Sequence, residues 1–446
     1  MKKFLLSIIV ILISLGLIAQ SLSLDEAKQL ALKNNPDLLS QQQTTKASKN
    51  NLWRSYLNLI PSASLTGNYT KYDEQRLMMG LEPAEESKSY GYTIVQPVFN
   101  GGKIWLGARI ANDGYKIAKE NLKNKTLSTI ADVESKYFNV LENQVLLGIS
   151  NKDLLASQTN VEIAKIRFDA GTLSKAEYLQ LQSELAGKEV SLIQIENLYQ
   201  ISLLELANFL QIEKVNELAK IPIETHQATL DKLSNKSLSE LDEMIDTIIN
   251  IGENNNPSLK ISEISVNTNK KSLLMVGGNF LPSVNLQYSN NWSKYDFQDE
   301  YNKSGQLGIN LSIPIFPLMD NGLGVAKANH NLKQSKYALE TVSDGIKLSL
   351  QSSLINLIAA AKTVKSSKLA MEYSKETYDQ MKERFTHGVI TANDLLSVEV
   401  MFTSAQNQYT TSFYNFLRAK SSLLLVMGIE DPQILEKIIN RSTEGK

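Results

Sequence analysis

Three histidines, His226, His330 and His387, and no cysteine are the whole stock of imidazole and thiol groups in this 446-residue chain. The histidines lie far apart and carry no HExxH spacing, so a zinc site or a His-based triad has little to start from. Without cysteine there is no disulfide, no thiolate metal site and no thiol nucleophile. No P-loop is present, so any energy used in the protein's work comes from elsewhere. Lys+Arg 46 against Asp+Glu 47 leaves a net charge of -1. With no long basic run, nucleic acid is a poor candidate partner. Two carboxylates have suggestive positions: Glu177 and Asp394 each stand six residues after a glycine, Gly171 and Gly388. Their ordinary reading is that acidic residues in the first turn of a helix favour its positive end. The sequence therefore predicts no enzyme, no cofactor and no metal site.

The chain opens on a basic Met1-Lys2-Lys3, an apolar run from Phe4 to Ile18 and small residues at Ala19-Gln20-Ser21. This is the pattern of a secretory signal peptide, read as residues 1–21. About 15 apolar residues is short for a spanning helix. No Cys is available near the cleavage region for lipid attachment. No later run is apolar for long enough to be a transmembrane helix, so any insertion into a membrane must be by strands.

Self-comparison shows a duplication. Asn35-Pro36 recurs as Asn256-Pro257 and Ile60-Pro61-Ser62 as Leu281-Pro282-Ser283, both at an offset of 221 (257 minus 36, 282 minus 61). Pro97-Val98-Phe99 recurs as Pro314-Ile315-Phe316, and Arg167-Phe168 with Gly171 as Arg384-Phe385 with Gly388, at an offset of 217. The ordered series points to an internal repeat. The domain organisation expected is a first repeat over 22–230, a second over 231–430 and a C-terminal tail over 431–446.

Each copy switches period. Pro36 to Ile60 and Gly102 to about Phe168 are rich in helix formers, and at 1.5 Å per residue the second of these extends about 100 Å. A return helix is expected from about Ser174 to Leu210. Steps of 3 and 4 from Tyr178 reach Leu181, Leu185, Lys188, Leu192, Ile195, Tyr199, Ser202, Leu206 and Phe209, a coiled-coil seam with two polar interruptions. In the second copy the seam runs from Leu395 to Val426. Long antiparallel hairpins follow. The short helix of each copy, stacked end to end on the return helix, nearly balances the outgoing one: Pro257 to Phe280 plus Thr391 to Met427 against Gly322 to Phe385.

Between the helices lie strands. Gln306 to Ile315 and Ser283 to Trp292 alternate apolar and polar residues, and Pro61 to Tyr72 and Tyr90 to Phe99 do so more weakly. Each is about 10 residues long, the length of a tilted strand crossing a bilayer. Four strands cannot close a pore, and an open edge in lipid leaves backbone groups unpaired, so copies of the chain must share a barrel. Residue patterning alone leaves the number of copies open. Tyr90, Tyr92 and Trp292 are candidates for an interfacial belt.

The order of signal peptide, duplicated helix, strand pair and long hairpin resembles the TolC family of outer-membrane channel proteins. The runs that carry the resemblance are Leu24-Asp25-Glu26-Ala27 with Ala31-Leu32-Lys33-Asn34-Asn35-Pro36, then Gln96-Pro97-Val98-Phe99-Asn100-Gly101-Gly102, and the two Arg-Phe-x-x-Gly turns. It covers essentially the whole mature chain. What it implies is a mixed α and β membrane protein, a homotrimer whose protomers each give four strands to a twelve-stranded barrel in the outer membrane. The hairpins would form a coiled-coil tunnel across the periplasm, docked to a periplasmic adaptor protein and an inner-membrane transporter.

The resemblance also assigns roles at the hairpin tips. Asp394 matches one aspartate of a lumen ring, where three like charges would attract cations and raise one another's pKa. The next family aspartate falls at Ser397, a gating arginine at Ile390 and a gating tyrosine at Phe385, while Glu177 is the acidic partner in the first copy. The polar lock is thus partly replaced, and closure is expected to lean on packing of Phe385 and Ile390. Arg167, Gly171, Arg384 and Gly388 occupy the turns that meet the adaptor. The function expected is a passive exit duct of a tripartite efflux pump or type I secretion system. The alternative is a non-conducting, barrel-anchored periplasmic coiled-coil protein with a structural or adhesive role; a soluble periplasmic enzyme lacks a site.

Overall fold

The computed structural model describes residues 21–78, 82–236, 238–316 and 318–444. The expected signal peptide, apart from Ser21, lies outside the described residues. Among those described, no helix is long and apolar enough to cross a membrane. Compactness divides the chain into two units that cut across the sequence repeats. One is Met1–Ser40, Lys123–Pro257 and Asp344–Lys446; the other is Gln41–Leu122 and Ser258–Ser343.

The second unit is organised around one antiparallel sheet in the order β1 (Ser62–Met78), β2 (Glu82–Asn100), β3 (Ser283–Tyr295) and β4 (Asn302–Ser312). The copies meet at the β2–β3 pairing, where Ile94 faces Tyr288 and Tyr90 faces Trp292. Because side chains alternate, one row across all four strands reads Ala63, Ile94, Tyr288, Leu307, and the next reads Ser64, Thr93, Ser289, Gln306. The sheet therefore has an apolar face and a face of small hydrogen-bonding residues. Leu307 and Ile309 are 69% and 73% exposed, so none of the described residues covers the apolar face at β4. Tyr90 stacks on Trp292 with ring centroids 5.3 Å apart.

The strand ends differ from the sequence expectation. β1 and β2 run on into the charged segment around residues 73–89, where alternation fails but pairing continues after a register shift between Lys71 and Arg76. β4 begins earlier and stops at Ser312, leaving Ile313, Pro314 and Ile315 beyond it. Proline has no N–H for the ladder. Its counterpart Pro97 is kept inside β2 because the register shifts between Pro97 and Phe99, a bulge that absorbs the missing donor. Just after β2, Gly101 holds φ +57 with its backbone against that of Gly278, leaving no room for a Cβ on either.

In the first unit, helix α1 (Leu24–Asn34) starts with a capping box in which the Ser23 hydroxyl accepts the Glu26 N–H and the Glu26 carboxylate accepts the Ser23 N–H. Helix α2 (Pro36–Leu57) begins there, and α3 (Lys103–Asp169) ends there. Helix α4 (Lys175–Leu210) is the expected return helix. Every residue of its predicted seam is buried or half-buried. The Asn34 amide donates to the Leu210 carbonyl at 3.3 Å, placing the α1–α2 junction at the end of α4 as end-to-end stacking requires. Asn35 caps α2 by accepting the Leu38 N–H at 3.1 Å.

The second copy repeats this with α7 (Pro257–Gly277), α8 (Leu318–Thr386) and α9 (Ala392–Met427). The Asn256 amide donates to the Val426 carbonyl at 2.8 Å, the counterpart of the Asn34 junction. Three amphipathic helices accompany these: α5 (Glu224–Ser234), α6 (Leu238–Asn255) and α10 (Pro432–Glu444). Most of the segment 431–446, expected as a tail, is thus helix α10. Leu435, Ile438 and Ile439 are buried, and Glu436 pairs with Lys420 at 2.9 Å.

Candidate functional site at the hairpin tips

The two turns are built alike. Gly171 and Gly388 hold φ +74 and +73. At the first, the Gly171 N–H donates to the Phe168 carbonyl and the Thr172 N–H to the Arg167 carbonyl. At the second, Gly388 donates to Phe385 and Val389 to Arg384. This is the Schellman pattern, which satisfies the last carbonyls of a helix and needs a left-handed residue at its turn. Each returning helix then opens with a capping box. Ser174 exchanges hydrogen bonds with Glu177, and Thr391 with Asp394, whose Oδ2 accepts from the Thr391 N–H at 3.0 Å and hydroxyl at 2.8 Å.

These caps account for the local chemistry of the two acids. The Thr391 hydroxyl and amide hold the Asp394 carboxyl below its usual range, and Ser174 does the same for Glu177, helped by the Ala392 amide of the other hairpin and by Arg167. Asp394 and Ser397 are exposed and stand outside the packed centre of the tips. Arg384 is exposed in the last turn of α8, as are both turn glycines.

The packed centre belongs to Phe385. Its side chain is 0% exposed within a cluster that includes Ala164, Leu173, Leu181, Ala392 and Leu395, with Ile390 packed against it. Arg167 reaches across from α3, donating to the Phe385 carbonyl at 3.1 Å with its guanidinium 4.9 Å from the ring centre. The Gln180 side chain donates to Asn393 at 2.5 Å, a second link between hairpins. Of the nine predicted tip residues, the structure brings Arg167, Phe385, Ile390 and Gly388 together, sets Glu177 beside them, and leaves Asp394, Ser397, Gly171 and Arg384 facing out.

Two helical turns from Phe385, four helices meet around a polar cluster that the sequence reading missed. Glu399 on α9 is 2% exposed and accepts from the Asn160 amide of α3 at 2.9 Å. Lys188 on α4 pairs with Asp153 of α3 at 2.7 Å and stands 3.7 Å from Glu399. Thr403 donates to Asp153 at 2.9 Å. The one signal in the sequence was Lys188, a charge in an otherwise apolar seam. Among the described residues no group of three or more His, Asp or Glu could hold a metal ion.

The fold has counterparts in known proteins. Residues 27–210 and 249–429 match the family model described as outer membrane efflux protein. The outer membrane protein TolC of Salmonella enteritidis is 21% identical over 457 residues, covering 100% of this chain and 90% of that protein. Among solved structures, CusC superposes with a TM-score of 0.80 at 14% identity, covering 92% of this chain and 93% of that one. The CmeC outer membrane channel of Campylobacter jejuni does so at 0.76 and 15%, covering 94% and 89%. The first matched block runs from within α1 to the end of α4, and the second from within α6 to just past the end of α9. The chain belongs to the outer membrane efflux protein family, whose members are transport channels of the outer membrane and not enzymes.

Proposed function

We propose that the protein is a passive exit duct, a homotrimer whose three four-stranded sheets close one twelve-stranded barrel and whose helices line a periplasmic tunnel. The observation that carries this reading is the sheet itself. Its apolar face is exposed at Leu65 of β1 and at Leu307, Ile309 and Leu311 of β4, its other face is small and polar, and β1 and β4 stand at its two edges. Unpaired edges cost several kcal/mol per backbone group in hydrocarbon, and a neighbouring copy removes that cost. A further apolar set on α4, including Val190, Ile193, Ile201 and Leu204, is exposed outside the seam and suits packing against another copy. The chain would be used after loss of a signal peptide at 1–21, with repeats over 22–230 and 231–430.

The tips are read as the gate and the docking point. Phe385, Ile390 and Arg167 would hold the hairpins closed, and Asp394 with Ser397 and Glu177 would face the narrowed opening. The exposed turns at Gly171, Arg384 and Gly388 would meet a periplasmic adaptor, itself joined to an energised inner-membrane transporter. Purified protein added to a planar bilayer is expected to give discrete conductance steps, and a well-folded protein that gives none overturns the duct. Replacing Asp394 with Ala is expected to abolish cation selectivity and block by multivalent cations. Selectivity unchanged from the parent would remove Asp394 from the ring.

A further inference from the structure

The cluster around Glu399 has an imbalance that its geometry alone reveals. Lys188 is the cation at its centre, and it is committed to Asp153 at 2.7 Å, with Glu184 at 3.6 Å and Glu399 farther off at 3.7 Å. Three carboxylates thus share one ammonium. Glu399 Oε2 accepts the Asn160 amide, but Oε1 is buried with no hydrogen-bond partner, as are Asn160 Oδ1 and the Tyr378 hydroxyl. A buried anion with an empty lone-pair site is costly, whereas a buried carboxylic acid is not. A cavity of about 430 Å³ lined by Asp153, Tyr378, Glu399, Phe402 and Thr403 lies beside it.

We propose that Glu399 is a proton-operated interlock between the two hairpins, neutral while they are packed together and ionised when they part. The residue sits where α9 of the second hairpin meets α3 and α4 of the first, so separation of the hairpins is what would hydrate it. The charged and titratable groups around it are Asp153 and Lys152 from α3, Lys188 and Glu184 from α4, and Tyr378 and Lys375 from α8, with Asp379 acting on Tyr378. Burial, chiefly, pushes the Glu399 carboxyl up to about 7; Lys188 opposes this, and the charges of Asp153 and Glu184 add to it. The packed form therefore binds more protons than a separated form whose hydrated Glu399 titrates near 4.5. By linkage, packing is fully favoured below pH 4.5, weakens as pH rises toward 7 and is level above it. The separated population rises by up to ~10²-fold across that window. The consequence for transport rests on the duct reading; the interlock itself does not.

The absence of native cysteine permits a clean test. Spin labels on Gln180→Cys and Asn393→Cys, whose parent side chains touch across the hairpins, report separation in the full-length, detergent-purified protein without any need for conduction. The short distance is expected to dominate at pH 5 and to give way to longer ones by pH 7. Glu399→Gln, a permanent mimic of the neutral acid, should keep the short distance throughout, and Lys188→Met, which removes the cation that favours the ionised form, should leave the onset in place and increase the separated population reached at high pH. A pH response identical with and without Glu399→Gln overturns the proposal, as does a distance that never moves. Should Glu399→Gln fail to fold, infrared titration of the parent decides: a buried carboxylic acid band lost near pH 7 is required, and its absence at pH 5 overturns the interlock. A protein that conducts but shows no such band retains its duct and loses its switch.

Discussion

Gly171 and Gly388 make both tips possible, because a Cβ at a left-handed φ is strained whatever space surrounds it. Replacing Gly388 with Ala also brings the new carbon to 3.4 Å from Arg167 Nη2, the group that links the hairpins. We expect a loss of about 1 kcal/mol, read by urea titration of the purified protein. Phe385 is the larger stake. Its complete burial predicts that Phe385→Ala costs ~3–5 kcal/mol of local packing and raises basal conductance through the tips, measured by thermal unfolding and single-channel recording. A stable variant with parental leak would separate Phe385 from the gate. Asp394 and Glu177 illustrate how one residue type serves two readings: each is engaged by its cap, and that engagement weakens as pH falls through the lowered carboxyl pKa.

At the scale of elements, the long helices were legible because a seam of period 3.5 persisted through ten positions in each copy, and even its polar breaks carry structure. Lys188 pairs with Asp153, and Ser412 meets Ser367 at 2.7 Å. The partner of a buried charge was not legible: Asn160 lies 239 positions from Glu399, and only the fold brings them together. Strand cores were readable from alternation, whereas their ends depend on pairing that charged residues around 73–89 disguise. Helix α10 had an available signal in Leu435, Ile438 and Ile439, spaced for one helical face. At the tips, composition could identify the turn glycines and capping acids, but not that Arg167 would cross to Phe385. The two faces of β4 yield a direct prediction. Leu307→Arg is expected to destabilise the membrane-inserted form by ~2–4 kcal/mol if it lies near the bilayer midplane, while Gln306→Arg on the polar face costs little. Refolding into liposomes with urea titration compares them, and equal tolerance at both positions would contradict a lipid-facing Leu307.

For the whole molecule, one requirement dominates. β1 and β4 are the outer strands of the sheet, with each other's edge as the natural complement in a second copy. Because the sequence contains no cysteine, one cysteine at Thr66 of β1 and a series along residues 304–310 of β4 can be oxidised in the membrane without competing thiols. Resolved without reductant, the account predicts that at least one pair yields a ladder of one, two and three linked chains that ends at three. Chains that stay single at every pair, in protein that is folded and membrane-inserted, would contradict the shared barrel.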